Sequence, residues 1–167
     1  MAVIRLMTEQ DIRSVRQVAQ ANWDETYGSS FPIESLQDWF EKNYSTPMLC
    51  KQIEKTHMFV IEEASQIIGF ASFTQVDEDG DSELTALYIA PEFKQKGYGT
   101  LLVEKGIKML QDKGLNLFVY VESVNTAARA FYEKLGFELV EEFDEYFEGY
   151  PTTTAQYLFP LKTPTLI

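Results

Sequence analysis

The chain predicts an α/β (α+β) fold, a mixed and mostly antiparallel central sheet of about seven strands flanked by helices. Three observations carry this. Apolar residues recur at helical spacing near the start, at Ile12, Val15 and Val18. Between Met58 and Ile89 the pattern changes to β-rich runs separated by short polar turns. Helical and β-rich segments then alternate, with Gly114 and Gly136 placed as helix stops. The 167 residues, 45% of them apolar, suit one domain over 1–167 with a core of its own.

Each element has a local reason. Val3 to Met7 reads as a short apolar strand. Thr8, with Asp11 three residues later, is a capping-box pattern that satisfies orphan helix N–H groups. The helix it starts runs to about Tyr27. A second helix follows Pro32 with Leu36, Trp39 and Phe40 inward, and a third begins at Thr46-Pro47, a cap and an early proline. Met58 to Ala64 and Ile67 to Val76 read as strands joined by Ser65-Gln66; Asp77 to Asp81 is a polar turn, and Ser82 to Ile89 completes an antiparallel meander. A loop from Lys94 to Gly99 leads into a helix reaching about Lys113, with Val103, Ile107 and Leu110 on one face. Leu115 to Val121 is a strand and Asn125 to Leu135 a helix. Phe137 opens another strand, and Thr154 to Phe159 closes the sheet.

Lys plus Arg number 14 and Asp plus Glu 26, a net charge of −12. Nonspecific binding to nucleic acid or an anionic membrane needs clustered cations, so neither partner is expected. The lone cysteine, Cys50, and the lone histidine, His57, cannot build a Cys/His zinc site or an internal disulfide, and no metal is expected. His57 reads as a structural residue at the start of a strand and Cys50 as a small buried side chain. No apolar run approaches the roughly 18 residues of a membrane span, and Met1 to Arg5 does not resemble a signal peptide. A cytoplasmic location is expected.

The chemistry concentrates in two segments. Gly97 and Gly99 lie between a strand and a helix, with Lys94 and Lys96 beside them. Glycines let the backbone approach a ligand closely, and the first N–H groups of a helix point at an anion. No Gly-Lys-Ser/Thr follows, and position 102 is Leu, so this is neither a Walker A loop nor a dinucleotide fingerprint. Alone, the segment equally suits a tight turn. The second segment, Asn125 to Phe137, joins an N-terminal Asn, small residues, and Phe131-Tyr132 before Gly136-Phe137; alone it suits a core helix with Ala128, Phe131 and Leu135 inward.

Together, Leu87-Tyr88-Ile89-Ala90-Pro91-Glu92-Phe93-Lys94-Gln95-Lys96-Gly97-Tyr98-Gly99 and the Asn125…Phe131-Tyr132-Glu133-Lys134-Leu135-Gly136-Phe137 segment resemble the GNAT family of N-acetyltransferases. The resemblance implies the GNAT fold over about residues 3–160 and acetyl-CoA as cosubstrate. Lys94 departs from the Gln or Arg that usually opens the family's loop, but the backbone cradle does not depend on it. The family pattern implies that Gln95, Lys96, Gly97, Tyr98, Gly99 and Thr100 hold the pyrophosphate, and that Leu87, Tyr88 and Ile89 offer backbone groups to the pantetheine arm, which adds like an extra strand. It brings Asn125 to the pantetheine or adenylyl side and Arg129 to a CoA phosphate; Arg129 is equally an exposed helix cation.

Tyr132 matches the family's general acid. Attack of an amine on a thioester expels a thiolate, whose free thiol titrates near 8.5, and a phenol near 10 can protonate it within hydrogen-bond reach. An N–H near Ile89 can polarise the acetyl carbonyl. Glu83 stands where related enzymes carry a carboxylate that deprotonates the amine through water. Helix packing for Tyr132 and a solvent-facing strand position for Glu83 are the plain alternatives.

The acceptor is less defined. Trp23-Asp24-Glu25-Thr26-Tyr27 sets carboxylates between two aromatics, which suits an organic cation as well as an ordinary amphipathic helix end. The segment from Asn22 to Glu54 resembles the corresponding region of bacterial polyamine (spermidine/spermine) N-acetyltransferases. The first expectation is therefore acetylation of a small-molecule amine, a polyamine favoured, by direct attack in a ternary complex. Acetylation of protein N-termini or lysines, and a non-catalytic acyl-CoA-binding regulator, remain open. Folds of this kind often dimerise, and Leu158 to Ile167 is apolar enough for a homodimer contact. The charge is uneven: Lys94, Lys96, Lys105, Lys108 and Lys113 face only Glu104 and Asp112 over 94–113, a basic stretch suited to CoA phosphates.

Overall fold

The computed structural model describes residues 1–27 and 32–162, and of residues 24–27 the backbone alone. Seven strands and five α-helices follow in the order β1 (Val3–Leu6), α1 (Ile12–Tyr27), α2 (Ile33–Tyr44), α3 (Thr46–Lys55), β2 (His57–Glu63), β3 (Gln66–Phe73), β4 (Asp81–Ile89), α4 (Tyr98–Leu110), β5 (Asn116–Glu122), α5 (Thr126–Leu135), β6 (Glu138–Phe147) and β7 (Tyr150–Pro160). The strands are ordered β1-β2-β3-β4-β5-β7-β6 in one sheet. Two compact units divide the chain: Met1–Phe73 with Ala86–Lys105, and Thr74–Thr85 with Gly106–Ile167.

In the first unit, β1 and β3 flank β2 in antiparallel register, Arg5 opposite Val60 and Val60 opposite Phe70. The β2–β3 turn falls on Ala64 and Ser65, one residue earlier than expected. Both have positive φ, 52° and 64°, a left-handed pair without glycine, so the usual signal was missing. Ile12, Val15, Val18 and Ala19 of α1 meet Phe40 and Tyr44 of α2, Leu49 of α3, and Met58, Val60 and Phe70 of the sheet in one apolar core. Trp39 is partly buried at its margin. Ser45, not Thr46, caps α3: its Oγ accepts the Met48 N–H at 3.3 Å, and Pro47 follows in the first turn.

The expected capping box forms. The Thr8 N–H donates to Asp11 at 2.9 Å, and Arg5 donates twice to the same carboxylate, at 2.8 and 2.9 Å. Chiefly through Arg5, these bonds hold the Asp11 carboxyl below its ordinary range. Asp11→Asn should therefore destabilise the protein by about 2 kcal/mol at pH 7. Because the folded pKa is depressed, that contribution is full above the unfolded value near 4 and is lost as pH falls through the folded one. Thermal melts of both proteins from pH 7 to pH 2 should converge at the acid end.

Gly69 on β3 has no room for a side chain. A Cβ there would stand 2.6 Å from Ile89 Cδ1 and 2.8 Å from the Tyr88 carbonyl oxygen. Gly69→Ala should cost about 2 kcal/mol in denaturant unfolding, since backbone must move to admit it.

In the second unit, β4 pairs with β5 in parallel from Asp81↔Asn116 to Leu84↔Val119; β4 continues beyond the last pair to Ile89 and β5 to Glu122. The strand expected to reach Val76 ends at Phe73, although the Thr74 N–H still bonds the Glu83 carbonyl at 2.9 Å. β7 does not lie at the sheet's margin: it pairs with β5 on one side and β6 on the other, leaving β6 as the edge. Leu84, Leu117, Val119, Ala155 and Tyr157 are buried along these strands. Gly136 ends α5 at φ 104°, the left-handed C-terminal stop its position predicted. Among the described residues no helix is long and apolar enough to cross a membrane.

Candidate active site

In the first unit the end of β4 turns through Pro91–Phe93, a single 3-10 turn, into the glycine loop. Gln95 and Gly97 both have positive φ, 63° and 87°. A non-glycine residue rarely adopts this conformation. Alternation of left- and right-handed residues gathers successive N–H groups into an anion-binding concavity. A Cβ at Gly97 would meet nothing within 4 Å, so the backbone there faces open space. The Gly97 carbonyl accepts the Leu101 N–H at 3.2 Å, which leaves the N–H groups of Tyr98, Gly99 and Thr100 at the start of α4 outside the helical ladder. The loop is braced from within: Lys96 Nζ lies 5.5 Å from the Phe93 ring centroid, and the Tyr98 hydroxyl donates to Glu63. That carboxylate pushes the Tyr98 phenol pKa up.

Leu87, Tyr88 and Ile89 do not all face one way. The Ala90 N–H donates to the Ile68 carbonyl of β3 at 2.8 Å, and the Tyr88 carbonyl lies against Gly69 of the same strand. Tyr88 therefore offers its carbonyl to β3, while the Ile89 carbonyl, which accepts the Asn22 amide, faces the opposite edge. The Tyr88 phenol accepts the Trp23 indole N–H at 3.0 Å, and burial raises its pKa. Trp23, expected beside the acceptor, is 7% exposed and stacks on Trp39 with centroids 3.9 Å apart. Its aromatic face is thus used internally; the side chains of Asp24 and Tyr27 lie outside the described residues.

In the second unit Glu83 sits opposite Phe118, on the strand face away from buried Ser82 and Leu84. Burial raises its carboxyl pKa above the usual range. Tyr120, which sequence reasoning missed, shares that face. Its phenol accepts the Gln156 amide at 3.1 Å and is pushed up by burial, then by the charges of Glu83, Glu141 and Asp81. The signal was the alternation of β5, where buried Leu117 and Val119 leave Phe118 and Tyr120 to the other face.

Tyr132, in the second turn of α5, is 6% exposed between Phe131 and Phe137, with centroids 5.0 and 5.3 Å away. Tyr132, not Phe131, is thus the residue of the aromatic pair that is buried. Asn125 caps α5, its Oδ1 accepting the Ala128 N–H at 3.1 Å. Arg129 donates to the Tyr157 hydroxyl at 2.9 Å, the Ser123 carbonyl at 3.1 Å and Glu142 at 2.9 Å. Both residues expected to meet CoA therefore also hold their own helix in place. His57 lies opposite Phe73 on β2, and Cys50 is a half-buried thiol on α3. Asp77, Asp79 and Asp81 bring carboxylate oxygens within 4.8 Å of one another, but Asp77 already accepts the N–H groups of Asp79 and Asp81.

Residues 12–137 match the model of the Acetyltransferase (GNAT) family. The chain belongs to that family. It is 30% identical over 148 residues to the spermidine N(1)-acetyltransferase of Thermoplasma acidophilum, covering 84% of this chain and 90% of the relative. It is 29% identical over 146 residues to the N-acetyltransferase YuaI of Bacillus subtilis, covering 85% and 83%. The PaiA N-acetyltransferase of Thermoplasma acidophilum, solved with coenzyme A, superposes with a TM-score of 0.80 at 24% identity, covering 93% of this chain and 98% of that one. The ribosomal-protein-S18-alanine N-acetyltransferase of Escherichia coli superposes at 0.74 with 20% identity, covering 99% and 97%. The last two show the shared fold. As a GNAT family member the protein is an N-acetyltransferase.

Proposed function

We propose that this GNAT enzyme transfers the acetyl group of acetyl-CoA to a primary amine of a small cationic acceptor, a polyamine favoured, by direct attack in a ternary complex. The observation that carries the acceptor class is the 30% identity to a spermidine N(1)-acetyltransferase over 84% of the chain. The exposed ring of Tyr120 beside Glu83, Asp81 and Glu141 supports it, since an aromatic face among carboxylates suits an organic cation.

The roles follow from the chemistry. The left-handed Gln95 and Gly97 and the first N–H groups of α4 bind the pyrophosphate, with Lys96, Tyr98, Gly99 and Thr100 in the same turn. Leu87 and Ile89 present backbone groups to the pantetheine arm. Glu83, through water, takes the proton that a primary amine carries at pH 7. The amine nitrogen then bonds the acetyl carbon, the carbon–sulfur bond breaks, and the nitrogen gives its second proton to solvent water as it becomes the amide. The electron pair stays on sulfur, and Tyr132 supplies its proton. The Ile89 N–H stabilises the developing oxyanion.

Thiol release from acetyl-CoA should be followed with spermidine, spermine, diamines, aminoglycosides and peptides in parallel. Turnover with the polyamines supports the proposal. Turnover with peptides alone would assign a protein acceptor, and tight CoA binding without turnover would assign a regulator.

A further inference from the structure

The end of β4 is gripped by a residue that no part of the preceding mechanism uses. Asn22 of α1 is 4% exposed. Its amide nitrogen donates to the Val18 carbonyl at 2.9 Å, one turn back in its own helix, and to the Ile89 carbonyl at 2.8 Å. Both partners are carbonyl oxygens, so the nitrogen must be the atom facing them.

The consequence lies in peptide geometry. In a trans peptide the carbonyl of one residue and the N–H of the next point in opposite directions. The Ala90 N–H points to Ile68 on β3, so the Ile89 carbonyl must point away from β3. Asn22 meets it there. The peptide between Ile89 and Ala90 is therefore held at both ends, by β3 and by α1. In extended backbone a residue's own N–H and carbonyl face the same edge. The Ile89 N–H thus faces the edge on which its carbonyl is already taken, and locking that carbonyl fixes the direction of the N–H.

We propose that Asn22 is a positioning residue for acetyl transfer: it holds the Ile89 carbonyl so that the Ile89 N–H is fixed as the donor to the thioester oxygen. The inference rests on the acetyl-CoA reading above. It also narrows the backbone offered to the pantetheine arm. With the Ile89 carbonyl occupied, the group that Ile89 offers that edge is its N–H. A preset donor matters because a hydrogen bond that need not reorganise during reaction lowers the barrier most.

The test uses acetyl-CoA carrying a ¹³C carbonyl and isotope-edited infrared difference spectra of the bound thioester. Wild type should shift the carbonyl stretch to lower frequency. Asn22→Leu should lose most of that shift and lower kcat about tenfold, with the Kd for CoA itself within twofold. Val15→Ala is the control, a core truncation that destabilises α1 while leaving the Asn22 amide and its bond to the Ile89 carbonyl in place. It should keep both the shift and kcat at an equal or larger loss of Tm. A shift and kcat in Asn22→Leu equal to wild type would overturn the positioning role alone. Absence of any shift in wild type would remove the Ile89 oxyanion role, and the proposal with it.

Discussion

Replacing Tyr132 by Phe should lower kcat by about 10²-fold or more while leaving acetyl-CoA affinity within twofold. The exchange removes one oxygen from a side chain that is 6% exposed and keeps the ring that packs edge-on against Phe131 and Phe137. Loss of ring packing is therefore not expected. The proton the phenol delivers matters only once the carbon–sulfur bond is breaking, so the defect belongs in kcat and not in binding. Steady-state kinetics at saturating amine, with calorimetric titration of CoA, separates the two. A kcat within twofold of wild type would show that another group or solvent protonates the thiolate.

Glu83→Gln should lower kcat/KM for the amine by about 10²-fold at pH 7, and the deficit should shrink as pH rises toward the amine's own pKa near 10. Above that pH the amine sheds its proton without help. The wild-type acid limb should lie above the ordinary carboxylate range, because burial raises the Glu83 pKa. A loss that is the same at every pH would assign Glu83 to binding. The stability effect has the opposite sign. For a carboxyl with a raised folded pKa, the favourable contribution is present below the unfolded value and is lost as pH rises through the folded one. Glu83→Gln should accordingly melt at or above wild type at pH 8, with the gap closing toward pH 4.

The elements that sequence reasoning located have local causes. Thr8 and Asp11 make their box within one turn, Pro47 marks an early helical position, and Gly136 takes a φ that other residues avoid. The pattern spanning 87–99 and 125–137 pointed to the family for the same reason: a glycine loop and a Tyr-bearing helix are short runs with fixed spacing. What escaped depends on distant partners. Ala64 and Ser65 turn without glycine because the β2 and β3 register on either side holds them there. Tyr120 gains its setting from Glu83, Glu141 and Gln156, which reach it from three other strands. Asn22 reads as an unremarkable helix residue until its partner, 67 positions away, is in view. Trp23 and Arg129 likewise have partners, Tyr88 and Tyr157, that lie far from them in the sequence.

The placement of β7 between β5 and β6 bears on how the protein is made. Asn116 of β5 pairs with Pro160, so that edge of β5 stays open until β7 is available to pair with it. β6 emerges earlier but has no place on the sheet until β7 arrives, and the two must dock as a hairpin through the later strand. Until that hairpin docks, a folding chain carries an open β5 edge, the condition that invites pairing with a neighbouring chain. The acidic residues Glu138, Glu141, Glu142, Asp144 and Glu145 on β6 give every such chain the same negative charge, which opposes edge-to-edge pairing of like chains before the hairpin docks.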